Sequence, residues 1–196
     1  MKDYIVINGV TYDLVKREET VAAQSKKLAD VAVGDTVQIG SHEMIVLEHV
    51  GEATLLIRKE SLGVMEFGEN NNYDGSNVDE ICNEFAEEIA GIVGEDNILL
   101  HEVDLTSDDG LKDYGMIQRK ASLLTADRYR EYVAILDKYK IDAWWWLATA
   151  FSTPAHDDER WVKCVSPSGG IGNRYYFSLG GVRPFCILKS SIFVSD

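Results

Sequence analysis

Cysteine, proline and long apolar runs are all scarce in this sequence. Its 196 residues include three cysteines and three prolines. Three cysteines cannot form a complete disulfide framework, and their odd number is typical of a protein from a reducing compartment. No apolar run approaches the roughly 20 residues of a membrane-spanning helix, and the first residues lack the apolar stretch and cleavage site of a signal peptide. We therefore expect synthesis in the cytoplasm without a signal peptide, and no membrane insertion.

Basic residues are outnumbered by acidic ones, and the two kinds are unevenly distributed. The sequence has 33 acidic and 19 basic side chains, a net charge of −14. Such a chain repels phosphate backbones, so we expect no nucleic-acid partner. Residues 1–143 carry −15 and residues 144–196 carry +1, and the second range holds all four tryptophans and all three prolines. The 45% of hydrophobic residues is typical of a packed domain.

The first thirty residues differ from the rest. Two β-rich runs at residues 4–7 and 10–15 flank Asn8-Gly9, a strong hairpin signal because both turn positions need positive φ. The polar residues that follow predict a linker or a short exposed helix. The expected domains are therefore 1–30, a hairpin and linker, and 31–196, the main domain. The open edge of the hairpin suits docking to a partner chain, either a virion protein or a second copy.

Periodicity predicts an α+β fold with an antiparallel sheet. Strand-like runs at residues 36–39, 43–50 and 53–58, separated by glycine-containing turns, predict an antiparallel meander. Two helices follow, and this order argues against a parallel, doubly wound sheet. Further strands are expected at residues 144–148, 161–165, 174–179 and 182–188.

Each helix has a predicted cap and a predicted buried stripe. Ser76 caps the first helix with Asp79 as its capping-box partner, and Gly91 and Gly94 mark its end. The second helix begins after Thr125. Apolar residues at spacings of three and four predict the buried faces. These are Val78, Ile81, Cys82, Phe85, Ile89 and Ile92 in the first helix, and Tyr129, Tyr132, Val133, Leu136 and Tyr139 in the second.

Four segments resemble a known group of proteins. They are Asn71-Asn72-Tyr73-Asp74-Gly75-Ser76, Ser122-Leu123-Leu124-Thr125, Trp144-Trp145-Trp146-Leu147-Ala148-Thr149 and Gly181-Val182-Arg183-Pro184-Phe185. Over about residues 32–194 the chain resembles an uncharacterised domain family of bacterial and prophage proteins that ends in Trp-Trp-Leu and Gly-Val-Arg-Pro segments. That family looks like the C-type-lectin-like fold of phage tropism determinants and of formylglycine-generating enzymes. The resemblance implies a C-type-lectin-like α+β domain with an antiparallel sheet and two helices, preceded by the N-terminal β-hairpin.

The resemblance also implies a function, a non-enzymatic ligand-binding or virion-surface module of the receptor-binding, tropism-determining type. Two alternatives stay open: a structural or assembly protein of a phage particle, and a relative of the formylglycine-generating oxidases. The oxidase alternative needs Cys164 and Cys186 to be neighbours, as the paired cysteines of those enzymes are. The calcium-binding motifs of sugar-binding lectins, Glu-Pro-Asn and Trp-Asn-Asp, are absent, so calcium-dependent sugar binding is not expected. Arg183 is expected to pair with a carboxylate inside the fold.

The residue types that carry catalysis or metal binding lack the patterns that those functions need. The cysteines have no histidine or basic cluster nearby in sequence that would lower a thiol pKa, which favours core packing. The four histidines show no metal-ligand spacing. In the acidic segment 104–110 the glycine is at position seven rather than six of a calcium loop, which favours a solvated loop with Asp caps. We expect no catalytic residue, no cofactor and no metal.

The alternation of side chains along a strand assigns the tryptophans to faces. Trp144 and Trp146 point one way and Trp145 the other, so at least one of these sides is core. Trp161 and Lys163 are expected to face outward, since the residues that alternate with them suit the core.

The candidate ligand-binding residues lie in the last third of the chain. Residues 152–181 contain four serines, five glycines, two tyrosines and one asparagine, a composition typical of adaptable binding surfaces and also of ordinary hairpin loops. The resembled tropism determinants present their ligand-contacting face in the same region. The expected ligand is a cell-surface glycan or a protein. The predicted contact residues are His156, Asp157, Asp158, Arg160, Trp161, Asn173, Arg174, Tyr175 and Tyr176.

Overall fold

The computed structural model describes residues 4–7, 10–13 and 25–195. Strands β1 (Tyr4–Ile7) and β2 (Val10–Asp13) pair in an antiparallel hairpin, as the sequence predicts. The predicted turn at Asn8-Gly9 and most of the predicted linker lie outside the described residues.

The rest of the described chain is an α+β domain with two helices. Its elements in chain order are β3 (Lys26–Lys27), β4 (Thr36–Ile39), β5 (His42–Val50), β6 (Ala53–Arg58), β7 (Val64–Met65), α1 (Asn77–Val93), β8 (Ile98–Leu99), β9 (His101–Asp104), β10 (Met116–Arg119), β11 (Ala121–Ser122), α2 (Ala126–Leu136), β12 (Trp145–Ala150), β13 (Trp161–Val165), β14 (Ile171–Tyr175), β15 (Gly180–Gly181), β16 (Phe185–Lys189) and β17 (Phe193–Val194).

Two sheets form the centre of the domain. The first is antiparallel, has the order β11-β16-β6-β5-β4 with β8 also paired to β16, and contains the predicted meander β4-β5-β6. The second has the order β14-β13-β12-β15-β7. Its pair β12-β15 is parallel, so this sheet is mixed and not antiparallel as the sequence predicts. The parallel pair arises because the chain leaves β14 and passes to the far side of β12 before it enters β16.

Both helices begin where the sequence predicts. Ser76 Oγ accepts a hydrogen bond from Asp79 N at 3.2 Å at the start of α1, and Thr125 Oγ1 accepts one from Arg128 N at 3.3 Å at the start of α2. Gly94, with a φ of +93°, ends α1, whereas Gly91, also expected at the end, lies inside the helix.

The predicted helix stripes are correct except at their edges. Ile92 is 46% exposed because it lies over the turn at Gly40, where the first sheet ends, and a Cβ atom on Gly40 would be 2.6 Å from its Cδ1. Val133 is 37% exposed on the outer side of α2, and Tyr139 is half-buried in the short helical turn after α2.

Buried side chains form three clusters between the packed helices and sheets. One cluster joins α1 to one face of the first sheet, and a second joins the other face to α2 and Trp145. The third contains Trp146, with Trp144 packed against it, and Phe67 and Tyr73 from the segment before α1. The tryptophans therefore alternate as predicted, and both sides of β12 are core.

Three of the late strands differ from their predicted bounds, and β12 runs over residues 145–150 rather than 144–148. The expected strand 174–179 is instead β14, which starts earlier because the turn at residues 166–170 is tight, with Ser166 N donating to Gly170 O at 2.9 Å. The expected strand 182–188 begins only at residue 185, as β16, because the chain crosses from the second sheet to the first between β15 and β16.

Candidate functional site

The candidate surface lies on β13 and β14, the two strands at one end of the second sheet. Trp161 on β13 is directly opposite Tyr175 on β14, and Lys163 is opposite Asn173. Residues two apart on a strand share a face, so these four side chains project from one face of the sheet. Arg174 projects from the other face.

Three aromatic side chains, Trp161, Tyr175 and Phe177, form what we call the aromatic stack. The ring centroids of Trp161 and Tyr175 are 3.7 Å apart with 25° between the planes, and those of Tyr175 and Phe177 are 5.0 Å apart with 10°. Tyr175 keeps 37% and Phe177 54% of its area exposed, and Trp161 is half-buried. The structure thus brings two predicted contact residues together at the surface. It adds Phe177, which the sequence could have indicated because it follows Tyr175 by two residues.

Lys163 lies on the same face but does not reach solvent. Its Nζ is 3.0 Å from Asp108 Oδ2 and 5.8 Å from the ring centre of Phe151, and only 8% of the residue is exposed. The expectation that it faces outward is wrong, because the acidic segment folds over this part of the sheet and pairs with the ammonium group.

The loop of residues 153–160 borders the aromatic stack. It is hydrogen-bonded to Asp109 of the acidic segment and to Asp113 just after that segment. Thr153 Oγ1 donates to Asp113 Oδ2 at 2.7 Å. Asp109 Oδ2 accepts from Ser152 Oγ at 2.7 Å and from His156 Nδ1 at 2.9 Å. These hydrogen bonds, together with one from Ser107 Oγ, hold the pKa of the Asp109 carboxyl well below its usual range. The carboxylate stays ionised and keeps the loop in place.

The acidic segment itself is partly what the sequence predicts. Asp104 Oδ1 caps a turn by accepting from Thr106 N at 2.9 Å. The later carboxylates are not simply solvated, since they bind the neighbouring loop and Lys163. Across the ranges that the structure describes, His, Cys, Asp and Glu side chains do not gather into a group that could hold a metal ion.

The other predicted contact residues are divided between surfaces. His156, Asp157 and Asp158 are on the loop, and Asp157 has a positive φ of 55°. Arg160 lies close to Asp158, with Nε 3.5 Å from Oδ1, and Asn173 is exposed beside the aromatic stack.

Arg174 and Tyr176 belong to the opposite face. The Arg174 guanidinium lies 5.4 Å from the ring centre of Trp144, and its buried Nε has no hydrogen-bond partner among the described residues. Tyr176 packs against the third core cluster. The predicted set is therefore not one continuous patch.

The three cysteines are free and buried, and Cys164 and Cys186 lie in different sheets. Cys164 is on β13 in the second sheet, whereas Cys186 is on β16 in the first sheet and belongs to a different core cluster. The neighbouring pair that the oxidase alternative needs is therefore not formed. Burial raises the pKa of each of these two thiols to about 12, so both are protonated at neutral pH.

Within the described part of the chain Arg183 does not pair with a carboxylate, contrary to expectation. Its Nε donates to Arg58 O at 3.1 Å, and its guanidinium lies 4.9 Å from the ring centre of Trp145. Burial lowers the pKa of Arg183 to about 10. The side chain fills the crossing between the two sheets, where an indole face and a backbone carbonyl surround it.

A cavity of about 400 Å³ was not expected from the sequence. It lies between the start of α2 and the β9-β10 hairpin, and His101, Ser122, Arg128 and Phe185 line it. His101 Nε2 is 2.8 Å from Ser122 Oγ. Burial, and to a smaller extent the charge of Arg128, lower the pKa of His101 to about 4. Sequence gives no local signal for this pair because the two residues are distant in the chain.

No protein-family model, curated protein or solved structure matches this chain. In the ranges that the structure describes, neither helix is both long and apolar enough to cross a bilayer.

Proposed function

We propose that the protein is a non-enzymatic binding module that recognises a protein ligand through the aromatic stack, with the loop of residues 153–160 at its border. The observation that carries this proposal is the exposure of Tyr175 and Phe177 in a stack with Trp161. Aromatic side chains dominate the binding energy of protein interfaces, above all where they cluster.

The order of the stack supports a binding role. Side chains that are already held in one conformation lose less entropy when a partner covers them. Each ring in the stack is held by its neighbour, and the bordering loop is held by Asp109 and Asp113. The surface is therefore preorganised, and the acidic segment that orders it does not cover Tyr175 or Phe177.

The geometry of the rings favours a protein ligand over a glycan. A sugar packs best against the open face of an aromatic ring, whereas Tyr175 stacks with a ring on Trp161 and with another on Phe177. The middle ring of the stack, Tyr175, consequently presents its edge and its hydroxyl group. These are suited to the apolar and hydrogen-bonding groups of a protein surface.

We further propose that the main domain is a C-type-lectin-like domain and that it acts on a virion surface as a receptor-binding, tropism-determining module. The strand–helix–helix–strand order supports this fold, and so does the packing of Trp146 and Val182, from two of the resembled segments, in one core cluster.

Binding to intact bacterial cells tests the proposal. We expect purified protein to bind the cells of a suitable host, and Trp161→Ala and Tyr175→Ala to weaken binding at least tenfold. Phe193→Ala is the matched control, since Phe193 is also an exposed aromatic residue but lies on β17. Treatment of the cells with a protease should abolish binding. Binding that survives the protease, with a positive glycan array, would overturn the protein ligand in favour of a glycan, and equal binding by all variants would overturn the site.

A further inference from the structure

Strand β14 is an open edge of the second sheet. Two backbone hydrogen bonds flank its pairing with β13, from Ser166 N to Gly170 O at 2.9 Å and from Tyr176 N to Arg160 O at 3.0 Å. Both belong to the same register as the ladder between them.

These two bonds determine which backbone groups of β14 point outward. In an antiparallel ladder, hydrogen-bonded pairs alternate with pairs whose N–H and C=O groups point away from each other. Gly172 and Arg174 are therefore bonded to β13, and Ile171, Asn173 and Tyr175 direct their backbone groups to the outer side. In the described part of the chain β14 pairs with no strand other than β13.

The outward groups are complementary to a second copy of themselves. If two β14 strands meet antiparallel with Asn173 opposite Asn173, then Ile171 of each copy is opposite Tyr175 of the other. Every residue with outward backbone groups then faces another such residue, which is the condition for a continuous ladder. Tyr175 O already accepts from Ser178 N at 2.8 Å, and a carbonyl oxygen has a second lone pair for the new bond.

The side chains of β14 leave this edge unprotected. Natural edge strands are usually blocked by proline, by several charges or by a bulge, and β14 has Arg174 as its single charge and no proline or register shift. In the paired register Arg174 of one copy is beside Gly172 of the other, where no side chain obstructs it. Residues 161–181 contain no acidic residue, so the negative charge of the rest of the chain does not extend to this edge.

We propose that two copies of this chain form a twofold-symmetric dimer by antiparallel pairing of β14 with β14 around Asn173. The two five-stranded sheets become one continuous sheet, and it carries two aromatic stacks on the same face. The pairing closes on itself, so it gives a dimer and not a filament. It rests on the strand register and stands whether or not the aromatic stack binds a ligand.

Proline at the symmetry position tests the dimer. Asn173→Pro removes an N–H that the ladder with β13 does not use, and Asn173→Ala retains it. Sedimentation equilibrium of the full chain should show dimers for the wild type and for Asn173→Ala, and a dissociation constant at least tenfold higher for Asn173→Pro. A wild type that is monomeric up to about 100 μM, or an Asn173→Pro dimer as stable as the wild type, would overturn the proposal.

A cysteine cross-link tests the register independently if Asn173→Pro does not fold. In the proposed dimer the two Cα atoms at residue 173 are about 5.5 Å apart, within the range that a disulfide bridges. Asn173→Cys should therefore form covalent dimers on mild oxidation. Ser168→Cys, on the exposed turn before β14, should not, because its two copies lie far from the axis. Equal cross-linking of both variants would overturn the register.

Discussion

Gly180 lets the backbone of β15 come close to an indole ring, and no larger residue fits there. A Cβ atom on Gly180 would lie 2.5 Å from the ring of Trp146. That ring is itself fixed, since its Nε1 donates to Met65 O at 3.0 Å. We predict that Gly180→Ala lowers the free energy of unfolding by about 1–3 kcal/mol, because the core must shift to accept the methyl group. Urea denaturation measures this change.

Gly63→Ala provides the control for that prediction. A Cβ atom on Gly63 meets no atom within 4 Å, so the substitution should change the free energy of unfolding by no more than about 0.5 kcal/mol. If both substitutions had the same effect, the close approach of β15 to Trp146 would not be the cause.

His101 makes stability depend on pH. Its pKa is lowered from 6.5 to about 4, first by burial and then by the charge of Arg128. The unfolded chain therefore takes up a proton near pH 6.5 that the folded chain resists. Neutral His101 therefore contributes roughly 3 kcal/mol to the free energy of unfolding. This contribution is complete above pH 6.5 and is lost as the pH falls towards 4. We predict that the free energy of unfolding of His101→Gln, measured with urea from pH 4.5 to 7, falls less steeply with decreasing pH than that of the wild type. Parallel slopes would contradict this.

At the scale of elements, an ion pair fastens the β9-β10 hairpin to the start of α1. Arg119 contacts the buried carboxylate of Asp79 through Nε and Nη2, each at 2.8 Å, and Nη2 also contacts Asp74 at 2.6 Å. Removal of the guanidinium would leave the Asp79 charge buried and without a cation. We predict that Arg119→Ala lowers the free energy of unfolding by about 2–4 kcal/mol, measured by chemical denaturation.

The adjacent lysine is the control. Lys120 contacts Glu95 at the surface, where an exposed pair contributes little. Lys120→Ala should change the free energy of unfolding by less than about 1 kcal/mol. If Lys120→Ala were as damaging as Arg119→Ala, burial of Asp79 would not explain the effect.

The sequence predicts those elements whose signals are local. Ser76 and Thr125 mark the helix starts, because capping depends on residues three apart, and the meander β4-β5-β6 follows from alternation and glycine turns. The β9-β10 hairpin was not predicted, since its strands are separated by a long acidic segment. The parallel pairing of β15 with β12 depends on contacts between residues distant in sequence, and no local sequence pattern predicts such contacts.

The candidate site was predictable only in part for the same reason. Alternation predicted that Trp161 lies at the surface, and the composition of residues 152–181, together with the resemblance, suggested Tyr175. The stack itself depends on the register of β13 and β14, which a tight turn determines. The position of Lys163 under Asp108 depends on a segment far away in sequence.

At the scale of the whole molecule, charge opposes self-association. Each chain carries −14, so two copies repel each other while the β14 edges attract. Salt screens exposed charges beyond about 10 Å at 0.1 M ionic strength. We predict that the dimer dissociation constant falls as the salt concentration rises from about 20 to 300 mM, measured by sedimentation. A dimer that weakens with salt would mean that attraction between charges holds it together instead.

The aromatic stack is the centre of this account, and Phe177 is its most exposed member. The most direct measurement compares, by flow cytometry, the affinity of Phe177→Ala and Phe193→Ala for intact bacterial cells that bind the wild type. Both substitutions remove an exposed aromatic ring, so neither should change the fold. We predict at least a tenfold loss of affinity for Phe177→Ala and wild-type affinity for Phe193→Ala. Equal affinities for the two variants would contradict it.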